Sequence, residues 1–424
     1  MKIRVIRGTH CIGGAVTEYS TATTRICIDF GSELPDRYGK EKTDTLDIPG
    51  LTKEGDRCDA VFFTHTHGDH IGQMKRILPG IPLYLGIHAK WILLNRKSEI
   101  DREEQQNTSG TVSQFEDNCH WFKENEPIQI GDIKITAFYV DHSAFDAYMF
   151  LIEADGKRVL HTGDFRTHGF RGNKLIPMLK AYVGKVDWVV TEGTNITGSD
   201  RPSRTERQLQ YDLKKIMNSY KKVFVICAST NIDRIAGFSH AVEDGRPIFC
   251  DGYQKTLLLI AKENCQKPSK LYSFRNIMVF RPNDSQLMET VKDKGFLFFI
   301  RGNKYGKRLL EKYGNDAMIV YSMWTGYLAE EYGNDVLREM LADRTWTVLH
   351  TSGHAGRKEL KEVIDAVSPS DGVIPVHTSQ PEAFKNLLAD YKVDVLDDGE
   401  TLHTGLFKLD GVSLNDFSEI FEGE

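Results

Sequence analysis

Residues 64–70 read Thr-His-Thr-His-Gly-Asp-His and follow directly on the apolar run Ala60-Val61-Phe62-Phe63. That order is a buried strand that stops at a loop and gives way to a helix, so the fold must present this loop at the edge of a sheet. Successive side chains of an extended segment alternate faces. His65, His67 and Asp69 can therefore converge on one side, while His70, at the start of the helix, turns toward a neighbouring centre. A lone histidine is most often a surface or core residue, but ligand types at this density read as a metal site. On this reading His65 and His67 serve one ion, and Asp69 and His70 serve a second. Imidazole nitrogens and carboxylate oxygens suit zinc, and a set without thiolate leaves positions open where water can become hydroxide at neutral pH. Open coordination points to hydrolysis rather than scaffolding.

Other strand ends supply matching residues. Tyr139-Val140-Asp141-His142-Ser143 places His142 just after a strand, as a third nitrogen for the ion of His65 and His67. Gly163 permits a tight turn after His161-Thr162 and aims Asp164 inward, where its two oxygens can bridge both ions. Such a bridging anion is what holds two dications about 3.5–4 Å apart. His377, at the end of Val373-Ile374-Pro375-Val376, completes the second ion with Asp69 and His70. His10, His88, His120, His161, His168, His240, His350 and His403 lack this context and are expected on the surface or in the core, with His161 the open case beside Asp164.

A chain of 424 residues exceeds one ordinary core, so two domains are expected, and 40% hydrophobic residues suffice to bury both. No apolar run approaches the ~20 residues that cross a bilayer. Met1 to Arg7 alternates charged and apolar residues like an edge strand and unlike a signal peptide, so the cytoplasm is the expected compartment. The seven cysteines are scattered with no Cys-x-x-Cys pair, which predicts reduced, mostly buried thiols. At net charge −6 a polyanionic substrate would need a local basic groove and metals to hold it.

Short strands, glycine turns and helices alternate over the first ~195 residues: Ile26 to Gly31, Ala60 to Phe63, Ile133 to Val140, Met149 to Ile152, Val159 to Thr162 and Trp188 to Thr191. From Arg201 the pattern changes to a helix over Glu206 to Tyr220, a strand over Val223 to Ile226, then a further helix and strand, which is a parallel α/β arrangement. Around Thr347 to His350 the first style returns. We therefore expect a first domain split into 1–199 and 346–424 by an inserted domain over 200–345, with a frayed acidic end at Asp416 to Glu424.

These residues resemble the metallo-β-lactamase-fold hydrolases, whose first histidine cluster has the pattern His-x-His-x-Asp-His found at 65–70. The inserted domain, the acid in Thr191-Glu192-Gly193, Ser352-Gly353-His354-Ala355 and Pro375-Val376-His377 are similar to the β-CASP branch of nucleic-acid-processing nucleases. Within it, the segments Ala228 to Arg234 and Ser352 to Ala355 are most similar to bacterial ribonuclease J. The resemblance covers nearly the whole chain. It implies an α/β protein: a four-layer αβ/βα metallo-β-lactamase sandwich with an inserted parallel α/β β-CASP domain, and RNA in the cleft between them.

The resemblance also implies two Zn2+, with Mn2+ as the alternative. His65, His67 and His142 would bind one, Asp69, His70 and His377 the other, and Asp164 would bridge them. Asp69, Glu192 and His354 are the implied catalytic residues, the last two carrying proton transfer. With both ligand sets filled, His354 is free to act as general acid, and Glu192 beside it favours the imidazolium and orients the ring. Thr230, Asn231 and Ser352 are candidates to hold a substrate phosphate through short hydroxyl and amide donors. An aliphatic residue is usual at His377 in DNA-directed members, so the histidine resembles the RNA-cleaving side. The match departs at Asp233, where ribonuclease J typically has histidine, and at Thr378-Ser379, where glycine and glutamate are usual. The chain stops at Glu424, about where the hydrolase domain closes, so the C-terminal domain of family members is not expected.

The expected function is a zinc-dependent ribonuclease that hydrolyses phosphodiester bonds of single-stranded RNA and leaves 5′-phosphate ends. A DNA or small phosphodiester hydrolase is the alternative, followed by a metal-free module that binds nucleic acid or a protein partner. RNA is the expected partner, a membrane is not, and homo-oligomer formation stays open. A β-lactamase or thioester hydrolase fits less well, since neither needs an insertion of about 145 residues.

Overall fold

The computed structural model describes residues 1–34, 46–104, 118–199, 203–263, 269–274, 276–330 and 334–405. The frayed end expected at 416–424 and Cys265 lie outside the described residues. Of the expected thiols, Cys27, Cys58, Cys119, Cys227 and Cys250 are buried and free, and Cys11 is half-buried.

The first of three sheets has seven strands in the order β19-β1-β2-β3-β4-β5-β6. These are β1 (Lys2–Arg7), β2 (Val16–Ser20), β3 (Arg25–Ile28), β4 (Ala60–Phe62), β5 (Leu83–Leu85), β6 (Cys119–Trp121) and β19 (Thr401–His403). Its β1 is not the edge that its alternation predicts, because β19 pairs antiparallel along Lys2 to Arg4 and takes the edge instead. That partner comes from the far end of the chain, which no local pattern signals. The second sheet has six strands in the order β18-β11-β10-β9-β8-β7. They are β7 (Pro127–Ile130), β8 (Ile133–Val140), β9 (Ala147–Ala154), β10 (Lys157–His161), β11 (Trp188–Glu192) and β18 (Gly372–Val376). Four helices bear on the site: α1 (Gly68–Ile71), α2 (Glu206–Ser219), α3 (Ile232–Ser239) and α4 (Arg357–Val367).

The inner faces of these two sheets share one core, in which Ile3, Val5, Ile28 and Phe62 meet Ile135, Phe150, Val159, Trp188 and Ile374. Outside the first sheet, Cys27 and Val61 pack under Ile71 and Ala89. Outside the second, Leu151, Leu160 and Val189 pack under Leu175, Leu179 and the Leu360-Ile364 stripe of α4. The result is the four-layer αβ/βα sandwich. Each fully buried Ile or Phe contributes on the order of 1.5–3 kcal/mol, so the sheet pair is a rigid base for the loops at its edge.

The third sheet, all parallel, runs β14-β13-β15-β12-β16-β17. Its strands are β12 (Lys222–Ile226), β13 (Ile248–Cys250), β14 (Ile277–Val279), β15 (Phe296–Ile300), β16 (Met318–Tyr321) and β17 (Trp346–Val348). Every residue of β15 is buried, as a strand with both faces covered must be. One face packs on α2 and α3 through Leu209, Leu213, Ile232 and Ile235. The other is rich in phenylalanine, with Phe224, Phe249, Phe296 and Phe298 in contact. Trp346 to Val348, read from sequence as the return of the first domain, pairs with β16, so strand pairing of the inserted sheet continues to Val348. A short apolar run carries no mark of which sheet it will join.

Candidate active site

Loops at five strand ends converge. Phe62 ends β4 and delivers His65, His67, Asp69 and His70 within four residues of α1; Val140 ends β8 before His142; His161 ends β10 before Asp164; Glu192 ends β11; Val376 ends β18 before His377. Gly31, after β3, lets the loop lie close, since a Cβ there would fall 1.6 Å from the Asp69 carbonyl oxygen. His377 itself takes φ 50°, a conformation that is strained for a histidine and is held by its N–H donating to the Gly8 carbonyl at 2.6 Å.

Ligand-type atoms of His65, His67 and His142 lie within 4.8 Å of one another, as do those of Asp69, His70 and His377, and those of His65, His70 and Asp164. Asp164 Oδ2 is 3.1 Å from His70 Nε2, 3.7 Å from His65 Nε2 and 3.8 Å from His142 Nε2, and its Oδ1 is 3.7 Å from His377 Nδ1. His377 Nε2 is 3.2 Å from Asp69 Oδ2. The structure thus brings together all seven residues that the sequence puts forward as metal ligands.

Whether they fit an ion is decided by what these atoms touch. His65 Nε2, His70 Nε2 and both Asp164 oxygens are buried without a hydrogen-bond partner. Buried acceptors are normally satisfied, so a cluster of orphans facing one another is matched to cations. The opposite ring nitrogens are occupied. His70 Nδ1 donates to Asp29 Oδ2 at 2.8 Å, His65 Nδ1 to Thr64 Oγ1 at 3.0 Å, and His142 Nδ1 to the Gly353 carbonyl at 2.6 Å. Thr64 Oγ1 passes its own proton to Asp29. Each bond fixes the tautomer that leaves Nε2 with its lone pair inward.

Electrostatics agree with that protonation at His65, His67 and His142 but not at His70, where burial is outweighed by Asp164, Asp29 and Asp69, which hold the ring well above the ordinary histidine value. Burial, reinforced by neighbouring imidazoles, holds His65 and His142 well below the ordinary histidine value, and burial brings His67 down to about 4. Burial pushes Asp69 and Asp164 up, but the surrounding imidazoles outweigh it and hold both carboxyls below the usual range. Neutral His65, His67 and His142 beside ionised carboxylates are the donor state that a cation requires, and at His70 an ion would take the place of the proton that Asp164 and Asp29 favour.

Glu192, buried, and His354, partly exposed, adjoin the cluster, with ligand-type atoms within 4.8 Å of those of Asp164 and His377. His354 Nδ1 donates to Glu192 Oε2 at 3.0 Å and lies 3.6 Å from Asp164 Oδ2. Burial lowers the His354 imidazolium, but Glu192 and Asp164 outweigh it and raise the group to about 9. The Phe165 N–H donates to Glu192 Oε1 at 3.0 Å, so this one carboxylate also anchors the loop that carries Asp164.

The three candidate phosphate holders sit differently. Asn231 caps α3, its side-chain oxygen accepting from the Arg234 N–H at 3.2 Å. Ser352 Oγ accepts from the His354 N–H at 3.1 Å and from Asn195 Nδ2 at 3.0 Å. Thr230 lies half-buried in the turn before α3. Asp233, the departure from the family pattern, accepts from Tyr272 Oη and Arg171 Nη2. His161 bonds Tyr19 Oη at 2.9 Å, a core role. Sequence reading passed over Asp29, Thr194 and Asn195. Asp29 carried a signal in its place at the end of β3 before Phe30-Gly31, while the other two act on rings that only the fold brings near.

Residues 24–217 match the family model "Beta-lactamase superfamily domain", and residues 342–396 match "Zn-dependent metallo-hydrolase RNA specificity domain". The chain is 24% identical to "Ribonuclease J" of Sinorhizobium meliloti over 432 aligned positions, which cover 89% of this chain and 71% of that protein. It is also 24% identical to "Ribonuclease J" of Helicobacter pylori strain B128, with 89% of this chain and 56% of that one covered, so it spans little more than half the length of that relative. A solved structure of a protein of unknown function from Enterococcus faecalis V583 superposes with a TM-score of 0.71 at 20% identity, covering 95% of this chain and 99% of that one, which speaks for the fold alone.

Proposed function

The chain belongs to the metallo-β-lactamase superfamily of metal-dependent hydrolases, in its β-CASP, ribonuclease J-like branch, and from that premise we propose that it hydrolyses the phosphodiester bonds of single-stranded RNA with two zinc ions. The observation that carries this reading is a proton-bearing pair, Glu192 and His354, standing 3.6 Å from the Asp164 carboxylate of a cluster of orphaned donors. His65, His67 and His142 would hold one ion, Asp69, His70 and His377 the other, and Asp164 would face both. When bound, such ions make water nucleophilic at neutral pH and neutralise charge that builds on phosphoryl oxygens.

The remaining work falls to this chain's own groups. His354 donates through Nδ1 to Glu192, which leaves Nε2 as its free nitrogen on a side chain that is 21% exposed. From there it hands a proton to the 3′-oxygen as that group leaves, and Glu192 stabilises the charged ring until then. Asp29 and Thr64 keep His65 and His70 in the tautomers that present Nε2. Support for RNA over DNA comes from the matched RNA-specificity domain and from the names of the relatives.

The test is direct. Protein loaded with Zn2+ or Mn2+ is incubated with unstructured 5′-monophosphorylated RNA, and metal content is measured on the same sample. We expect two ions per chain and products with 5′-phosphate ends. Loaded protein that spares RNA while cleaving DNA or bis(p-nitrophenyl) phosphate would overturn the RNA reading, and a preparation unable to hold metal would overturn the mechanism.

A further inference from the structure

The turn that follows β11 grips both halves of the site. Thr194 Oγ1 is 3.0 Å from His377 Nδ1 and 3.4 Å from the His377 carbonyl oxygen, and the Gly193 N–H donates to that same carbonyl at 3.4 Å. A hydroxyl carries one proton and two lone pairs. When Nδ1–H donates to Oγ1, the hydroxyl proton passes to the carbonyl, both groups are satisfied, and His377 Nε2 keeps its lone pair beside Asp69. Thr194 is then to His377 what Asp29 is to His70 and the Gly353 carbonyl is to His142.

One residue on, the turn changes customer. Asn195 Nδ2 donates to Ser352 Oγ at 3.0 Å and to the His354 carbonyl at 3.3 Å, and Ser352 Oγ in turn accepts the His354 N–H. Together with Glu192 on the ring, these bonds fix His354 by backbone and side chain alike. The turn itself has no room to shift, because a Cβ on Gly193 would lie 2.5 Å from the Phe384 ring and 3.0 Å from Thr378 Cβ.

We infer that Thr194 and Asn195 are positioning residues with divided tasks: Thr194 sets which nitrogen His377 offers the metal, and Asn195 sets where the His354 ring stands when it gives up its proton. The inference rests on the two-metal phosphodiesterase reading of the site. It predicts opposite phenotypes from adjacent, near-isosteric substitutions. Thr194→Val should weaken retention of one ion by roughly 10–100-fold, the usual effect of losing a ligand's orienting partner, and Thr194→Ser should restore it. Asn195→Asp should retain metal like the parent yet lower kcat at least roughly 10-fold on a dinucleotide phosphodiester, with KM unchanged. It should spare bis(p-nitrophenyl) phosphate, whose leaving group departs without a proton.

Metal retention is read by chelator competition on the purified holoprotein and turnover on both esters. A merely structural turn would make the two variants alike, each losing metal and slowing both esters, and that outcome overturns the division of tasks, as would parental behaviour in both. Chelator competition and the two esters need no RNA. Failure of the RNA reading would therefore show as an inert long RNA beside an intact Thr194 and Asn195 contrast, and the dinucleotide is then supplied as its DNA counterpart.

Discussion

Around Asp164, both carboxylate oxygens are buried among imidazole nitrogens without a hydrogen-bond partner, whereas around Arg166, two residues along the same loop, Asp141 and Glu206 each meet a guanidinium. Arg166 donates to Asp141 at 2.8 Å and to Glu206 at 2.9 Å; Glu206 also takes Arg234 Nε at 2.7 Å and Nη2 at 2.8 Å. All four residues are buried. The second cluster is charge-balanced, both of its carboxylates being met by guanidinium groups and only Arg166 Nη2 lacking a partner, and it ties the sandwich, through Asp141 and Arg166, to the inserted domain, through Glu206 and Arg234. The first cluster holds buried acceptors without partners, which an added cation would satisfy. Two buried polar clusters in one interior thus separate by composition: one joins domains, the other awaits a ligand.

Three substitutions break that contrast where it is sharpest. Asp164→Asn removes the anion that faces five imidazoles, so both ion content, by elemental analysis, and RNA cleavage should drop to background. His354→Ala should retain both ions and slow single-turnover cleavage by roughly 10²–10⁴-fold, the size of a lost general acid. A His354→Ala protein that lost its metal would move this residue from proton transfer to ligation. Glu206→Gln acts on the other cluster. Opening a buried ion network costs on the order of 3–5 kcal/mol, so urea unfolding should show the loss while metal stoichiometry stays at the parental value.

The same carboxyl gives a pH signature. Burial pushes Glu206 up, but Arg234 and Arg166 outweigh it and bring it down to about 2 from an ordinary 4.5. Because the folded value lies below the unfolded one, the stabilisation is full above about pH 4.5 and disappears as pH falls toward 2. Glu206→Gln should flatten the acid limb of stability in that window. An acid limb identical to the parent's would mean that other carboxyls, Asp164 and Asp69 among them, set acid unfolding.

How far the sequence carried the reading follows from the range of each interaction. The cluster at 65–70 and the strand ends before His142, Asp164 and His377 were legible because strand periodicity and ligand chemistry are both local. The orienting partners were not. Asp29 meets His70 from another strand, Thr194 meets His377 across 183 positions and Asn195 meets Ser352 across 157, so a threonine or asparagine in a turn reads as turn chemistry until the fold supplies its partner. The same limit explains the strands. Apolar pattern named β17 and β1 correctly as strands but could not say that one closes the inserted sheet or that β19 covers the other.

The smallest expected effect probes whether the joining cluster can be loosened without touching the ligand cluster. Glu206 is the first residue of α2, and Thr205 before it caps that helix: Thr205 Oγ1 accepts from the Gln208 N–H at 3.1 Å, and Gln208 Oε1 accepts from the Thr205 N–H at 2.8 Å. Thr205→Ala removes half of this capping box and should cost about 1 kcal/mol in urea unfolding. Glu206 keeps its partners through its own backbone bond to the His168 carbonyl, so metal content and cleavage rate should match the parent. A change in either would mean that the start of α2 is coupled to the ions, through His168 Nε2 on the Ser352 carbonyl at 2.8 Å, and that the two clusters are less independent than their composition implies.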